Sequence, residues 1–425
     1  MKLKQRPNDF RVDELLREDV LLERGEHRVY RVTKRKKTSL EAARDLGDLA
    51  GVPPGDVSMT GLKDRQGVTC QFMSIYKGRP VRHTDSLLKI EPVGFSEQEL
   101  SSGDTIGNAF EIVVRDLGGR EQDRIRASLP AVREYGLPNY FDEQRFGNLR
   151  HNQGWIALDL LHGQFEHGLK RLLTAISDHD HKGAKAFKSA LYRHWGDWRS
   201  CRDIAGRFGQ HHSVFEHLRR NPDDFAGAFR HVASRVRLIH LYAFQSHLWN
   251  RALALHLETF CGERDYFTVR SREGKLIFPK EQIPLPEWWG GDLPLPGEVL
   301  AGVEASDQGE LFAEILHRIG ITPEDLAIVD VPGFQLKPEP RPAVVVPREL
   351  RVRPAEPDPD NPGRHLVRFA FQLPRGSYAT LVVRRLVGPS NSSSHPRLGR
   401  RRGRGSRRGG HGGGTRNHRS PKPRP

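Results

Sequence analysis

The chain is short of the features that mark several large protein classes. Across 425 residues there are three cysteines, Cys70, Cys201 and Cys261. They lie far apart, without the paired spacing of a zinc site or the even count of a disulfide framework, and read as ordinary reduced thiols. No run approaches the roughly eighteen apolar residues that span a bilayer, so a soluble chain with no membrane partner is expected. The opening residues Met1-Lys2-Leu3-Lys4-Gln5-Arg6-Pro7 are polar and lack the apolar stretch of a secretory signal, which points to the cytoplasm. His-Glu-x-x-His and Cys-x-x-Cys spacings are missing despite 20 histidines, which speaks against a zinc hydrolase. No repeat at solenoid or propeller periods is found.

What is present in excess is positive charge, +15 net. The stretch from Gly388 to Pro425 holds eleven Lys and Arg and no acid, which leaves +4 for residues 1–387. A body so mildly basic supports a nucleic-acid partner only weakly on charge alone. The tail, with its Gly-Arg run from Gly399 to Gly410, cannot bury enough apolar surface to offset chain entropy and is expected to be disordered.

Period and punctuation divide the rest. Thr38-Ser39-Leu40-Glu41 has capping-box spacing, with Leu40, Ala43, Leu46 and Ala50 on one predicted helix face and Gly51 and Pro53-Pro54 as the stop. Val57 to Thr60, a turn-rich loop from Gly61 to Gly67, and Val68 to Tyr76 read as strand, loop, strand. Alternation at Phe110, Ile112 and Val114, and at Val367, Phe369, Phe371 and Leu373, predicts two more strands. Between these sheet-like ends, residues 152–346 have a different texture, with a helical stretch from Leu238 to Phe260 and a Pro/Gly-rich, irregular stretch from Glu273 to Gly297. A middle domain inserted into a sheet domain follows.

Three segments carry chemistry. In Gly61-Leu62-Lys63-Asp64-Arg65-Gln66-Gly67-Val68-Thr69-Cys70-Gln71 one carboxylate stands between two cations that favour its ionised form, as a nucleophile or base requires. Asp is equally a turn former. Asn139-Tyr140-Phe141-Asp142-Glu143-Gln144-Arg145-Phe146-Gly147 interleaves aromatic, amide and Arg side chains, the means by which proteins stack and read RNA bases; its structural reading is a strand or loop with Phe in the core. In Leu373-Pro374-Arg375-Gly376-Ser377-Tyr378-Ala379-Thr380, Ser377 is placed to cap a helix and Arg375 to meet a phosphate, with Tyr378 at the strand-to-helix corner. The alternative is a joint whose Tyr simply packs.

Together these strings resemble, in order, the motifs of the pseudouridine synthase D family: Gly-x-Lys-Asp-(Arg or Lys)-x-Ala-x-Thr-x-Gln, Asn-x-Phe-Gly-x-Gln-Arg-Phe-Gly, and Leu-Pro-x-Gly-Ser-(Phe or Tyr)-Ala-Thr. Leu3 to Glu14 resembles the family's opening strand and Ala243 to Asn250 its inserted-domain helix, so the likeness spans residues 3 to 387. Gly67, Asp142 and Arg385 depart from it; Asp142 would set a negative charge where RNA passes.

The resemblance implies an α+β fold: a pseudouridine synthase core with a mixed, mainly antiparallel sheet and flanking helices, interrupted by the family's own α/β insertion. The implied divisions are 1–151 and 347–387 for the core, 152–346 for the insertion, and 388–425 for the basic tail. It implies conversion of uridine to pseudouridine in tRNA, at position 13 in the dihydrouridine arm, without cofactor or metal, by a monomer. Asp64 becomes the reacting group. Lys4, Lys63, Asn139, Phe141, Gln144, Arg145, Tyr378 and Arg384 become substrate-binding, with Phe141 and Tyr378 around the extruded base and Arg384 paired with Asp64. A non-catalytic RNA-binding or chaperone protein of the same fold is the rival reading.

Overall fold

Alternating apolar and polar residues, the period of a half-buried strand, turn the two ends of the chain into one ten-stranded sheet. The structure is a computed structural model, and it describes residues 1–147, 154–177, 180–271, 273–281, 292–297, 307–326, 331, 336–337 and 339–389. The first part supplies β1 (Phe10–Leu16), β2 (His27–Arg35), α1 (Ser39–Ala50), β3 (Val57–Met59), β4 (Val68–Tyr76), β5 (His83–Thr84), β6 (Leu88–Ser96), β7 (Thr105–Leu117) and α2 (Gly119–Tyr135). Helix α1 begins where its capping box places it. Thr38 accepts the Glu41 N–H, Glu41 returns to the Thr38 N–H, and Gly51 ends the helix in the left-handed conformation at φ 72°. Its buried face is Ala42, Ala43, Leu46 and Ala50 against Tyr30, Val32, Met73 and Ile90 of the sheet. Leu40, predicted on that face, points to solvent at 54% exposure.

After β8 (Leu137–Pro138) the chain becomes helical: α3 (Ile156–Leu161), α4 (Phe165–Thr174), α5 (Lys182–Arg193), α6 (Trp198–Phe208), α7 (His212–Arg220), α8 (Phe225–Phe229) and α9 (Ser234–Phe260). From Leu241 to Asn250 in α9 every residue except Tyr242 and His247 is buried. The helix is therefore covered on all sides rather than along one stripe. A hairpin of β9 (Tyr266–Ser271) and β10 (Gly274–Pro279) follows, then β11 (Asp292–Pro294) and α10 (Asp307–Arg318). The predicted irregular stretch from Glu273 thus opens with a regular strand, because Leu276, Ile277 and Phe278 are buried and outweigh the flanking Gly and Pro.

The chain returns through β12 (Pro340–Pro342), β13 (Val344–Val345), β14 (Arg348–Val352), β15 (Glu356–Pro357), β16 (His365–Pro374) and α11 (Ala379–Val387). Strand β13 pairs with β8, so the chain leaves the sheet region and re-enters it on neighbouring strands. The main sheet has the order β14-β16-β7-β1-β4-β2-β6-β5, with β15 on β16 and β3 on β4. Among the described residues only the β1–β4 pair of this sheet is parallel, so the sheet is mixed and mainly antiparallel. Phe10, Phe110 and Phe371 follow one another across β1, β7 and β16 at 6.3 and 5.6 Å between ring centres. They begin an apolar core that continues through α2 and α11 into the helices around α9. The basic tail lies outside the described residues.

Candidate active site

The loop between β3 and β4 is held from three directions. Beneath it is Lys34, a fully buried lysine whose ammonium donates to the carbonyl oxygens of Lys37 and Asp64 at 2.8 Å and of Lys63 at 3.3 Å. At its side the Ser39 hydroxyl accepts the Lys63 N–H at 2.8 Å and donates to Gln71, whose amide donates to the Gly61 carbonyl. From β1, buried Glu14 accepts the Thr60 hydroxyl and, at 3.0 Å, the Phe72 N–H. The Lys63 ammonium lies 2.6 Å from Glu14 and 2.9 Å from Asn108. Each of these bonds fixes backbone or a neighbouring side chain and none uses the Asp64 carboxylate, which is 26% exposed.

That carboxylate accepts the Lys4 ammonium at 2.5 Å on one oxygen and the Gln66 N–H at 3.0 Å on the other. Burial pushes its pKa up, but the Lys4 hydrogen bond, the Gln66 N–H and the charges of Lys4 and Lys34 together bring it below the ordinary Asp value. The cations that keep Asp64 ionised are thus Lys4 and Lys34. The sequence neighbours credited with this turn elsewhere, Lys63 to Glu14 and Asn108, and Arg65 to the Lys36 carbonyl at 3.1 Å. Arg384, expected opposite Asp64, is paired with Asp142 at 3.2 Å and Glu143 at 3.3 Å; an opening segment of the chain supplies the cation instead.

The second and third segments meet around Phe141. Asn250 of α9 holds the Phe141 backbone with both ends of its amide, at 2.8 and 2.9 Å. The ring stands edge-on to Trp249 at 5.7 Å and to Tyr378 at 6.3 Å. Two guanidiniums flank it, Arg341 at 3.8 Å and Arg145 at 5.5 Å from the ring centre. Arg341, invisible to the motif reading, donates to the Asn139 carbonyl at 2.6 Å and the Gly376 carbonyl at 3.1 Å, so it ties the second segment to the third. Burial draws its pKa down to about 10, with Tyr378 opposing and Arg145 adding to the fall. Arg145 donates to Ser246 at 3.0 Å, and Gln144 is exposed on the turn. Asn139 donates to the Pro342 carbonyl while its own side-chain oxygen is buried without a partner. Tyr378 is the first residue before α11 and its hydroxyl is pushed up by burial. Ser377 does not cap the helix; Tyr378 occupies the cap position, without a side-chain bond.

The sheet joins the two groups. Lys63 reaches Asn108 of β7, Asn108 is paired with Leu373 of β16, and β16 runs directly to Tyr378. Phe10, over which the Lys4 ammonium sits at 4.2 Å, heads the row of rings that crosses to Phe371. The arrangement offers an ionised carboxylate in one group and, in the other, a buried Phe141 with Tyr378, Arg341 and Arg145 around it. Among the described residues no three His, Cys, Asp or Glu side chains are grouped to hold a metal ion.

The model of the family described as tRNA pseudouridine synthase D (TruD) matches residues 1–282 and 291–386. The chain belongs to the tRNA pseudouridine synthase D family. A Methanocaldococcus jannaschii protein bearing that family name is 31% identical over 91% of each chain. The tRNA pseudouridine synthase D of Aquifex aeolicus is 29% identical, covering 91% of this chain and 98% of that one. A crystal structure from Methanosarcina mazei, titled as a member of the same family, superposes with a TM-score of 0.67 at 23% identity, over 91% of this chain and 93% of that one; at that identity it speaks for the fold.

Within the family, the three departures acquire physical reasons. A Cβ at Gly67 would stand 2.6 Å from the Phe10 carbonyl oxygen, so the loop closes onto β1 more tightly than Ala permits. Asp142 is buried, accepts the Thr380 hydroxyl and forms an ion pair with Arg384, so its charge is matched inside the protein and not presented to RNA. Arg385 is buried as well and donates to the Lys280 carbonyl at 2.6 Å, which pins α11 to the end of β10.

Proposed function

We propose that this pseudouridine synthase acts on uridine 13 in the dihydrouridine arm of tRNA, as a cytoplasmic monomer, with Asp64 as the reacting group. The observation that carries the proposal is the Asp64 carboxylate itself, partly exposed, held ionised by Lys4, on a loop fixed by Lys34, Ser39 and Gln71. In the isomerisation the bond from ribose C1′ to uracil N1 breaks, the base turns, and C1′ joins C5. The C5 proton leaves and N1 gains one, so no redox partner enters. An ionised carboxylate can add to the sugar or the base, or take a ribose proton, and Lys4 can steady the charge as it moves.

A uridine within folded tRNA must leave its stack first, at a cost of a few kcal/mol. Phe141 and Tyr378 supply aromatic surface for the extruded base, and Arg145, Arg341 and the orphaned Asn139 oxygen supply polar contacts beside it. Lys63, Gln144 and Arg384 act from behind or beside this pocket. We assign residues 152–346 to an inserted domain, which the β8–β13 pairing at its two ends supports, and place the RNA between it and the sheet.

The test is pseudouridine mapping in unmodified tRNA transcripts treated with wild type or Asp64→Ala. The expected outcome is a mark at uridine 13 with wild type, and tRNA binding without product in the variant. Product from Asp64→Ala would remove Asp64 from the reaction. A mark at another uridine would replace the site while leaving the chemistry.

A further inference from the structure

We propose that residues 358–364, the loop from β15 to β16, form a positioning device that holds the opening segment of the chain so that Lys4 stands on Asp64. This rests on Asp64 being the reacting group. Lys4 comes from a segment with little structure of its own, a single bridge from Lys2 to Arg115 and a 3-10 turn at Pro7–Asp9. Left to itself, such a stretch would spread the ammonium over many positions, each fixed backbone residue costing about 1–2 kcal/mol of entropy.

Anchors bracket Lys4 on both sides, and they converge. Before it, the Lys2 backbone exchanges two hydrogen bonds with Arg115, at 2.8 and 3.0 Å, and the Lys2 ammonium donates to Asn361 at 2.5 Å. After it, Gln5 accepts the Asn361 amide at 3.1 Å, Arg6 pairs with Asp360, and Asp9 receives two bonds from Arg115 at 2.8 and 2.9 Å. The loop closes the circuit: Asp358 accepts Arg115 at 3.0 Å and Asn361 at 2.8 Å. Asp9, Arg115, Asp358 and Asn361 are all buried, where a satisfied polar network is stiff and resists exchange with water. Lys4 itself has φ 56°, a left-handed conformation that costs a lysine about 1–2 kcal/mol and persists only where the surroundings over-determine it. The loop thus acts on the reaction through Lys4, from the far end of β16.

An ion cluster that merely clips the fold together would affect stability alone, so the experiment reads catalysis. In the full-length chain, Asn361→Ala removes the bonds to Lys2, Gln5 and Asp358, and Gln5→Ala removes one of them at an exposed position outside the buried cluster. Single-turnover rates, KM for an unmodified tRNA transcript and the pH profile are measured for each. The expected result is a fall in the rate of about tenfold or more for Asn361→Ala, smaller for Gln5→Ala, since small misplacements of a reacting group are costly. KM stays within about twofold on the same positional argument, and the acid limb moves to higher pH as Asp64 loses its lysine. In a Lys4→Met background Asn361→Ala adds no further loss. Wild-type rates and acid limbs in both variants overturn the proposal, as do a change confined to KM or melting temperature and an equal rate loss with and without Lys4. Activity surviving in Asp64→Ala would instead sink the assignment of Asp64, a result separable from all of these.

Discussion

Lys34 gives the site an alkaline limit. Burial draws its pKa down to about 8, against the pull of Asp64 and Glu41, and a neutral amine has two hydrogens for three carbonyls. Activity is expected to fall as pH rises through about 8, and a pH–rate profile of Lys34→Arg, which stays charged, should lack that limb. Stability moves the other way. Between about 8 and the ordinary lysine value of 10.5 the unfolded chain keeps a proton that the folded chain has released, so this group's contribution rises with pH. Asp64 has the opposite sign: its depressed pKa contributes stability above the ordinary Asp value and loses it as pH falls through the folded one. Arg341→Ala would leave the Asn139 and Gly376 carbonyls without their donor, at about 1–3 kcal/mol by denaturant titration, and lower the rate. Arg341→Lys should rescue little, because a lysine has neither the planar fork nor the flat face that lies on Phe141. Of the proposed site residues, Asp64, Phe141 and Tyr378 were legible in the sequence as members of motifs. Lys34, Glu14 and Arg341 were not, because each acts through backbone carbonyls or a distant strand, and such contacts leave no spacing behind.

Strand β16 was readable from its long apolar alternation, β7 from the shorter alternation of Phe110, Ile112 and Val114, and β4 from its composition, since β4 and β7 bury residues on both faces; α1 was readable because its cap is local chemistry. Thr38→Ala should lower stability by about 1 kcal/mol, measured by urea unfolding, whereas Leu40→Lys on the exposed side should change it little. The flanking Gly and Pro hide strand β10, since burial of Leu276, Ile277 and Phe278 depends on tertiary packing with α9 and the rest of the core, which local pattern does not show. The parallel contact of β1 with β4 was likewise beyond local pattern. Close strand approach can also be probed directly. A Cβ at Gly107 would meet the Leu373 carbonyl oxygen at 2.2 Å, so Gly107→Ala must part β7 from β16 where β16 turns toward Tyr378. Reduced stability and a reduced rate with unchanged tRNA affinity are the expected outcome, measured by melting and single-turnover assays.

Charge is distributed unevenly over the chain, and that has a consequence for tRNA affinity. Residues 388–425 carry eleven of the positive charges and no acid. Truncation after Val387 should weaken tRNA binding at low salt and flatten the slope of log affinity against log salt, since fewer counterions are released. An unchanged slope would assign the affinity to the body, through groups such as Arg145. No helix among the described residues is long and apolar enough to cross a membrane.

The two rungs between β8 and β13, Pro138 with Val344 and Leu137 with Val345, also set how the molecule bears tension. A pull applied through its two ends is short-circuited at that pair, and the helices from α3 to α9 carry no load until the rungs give way. In an optical trap the extension should therefore come in two steps, the sheet yielding first and some two hundred residues of slack appearing only afterwards, on the order of 700 Å at full stretch.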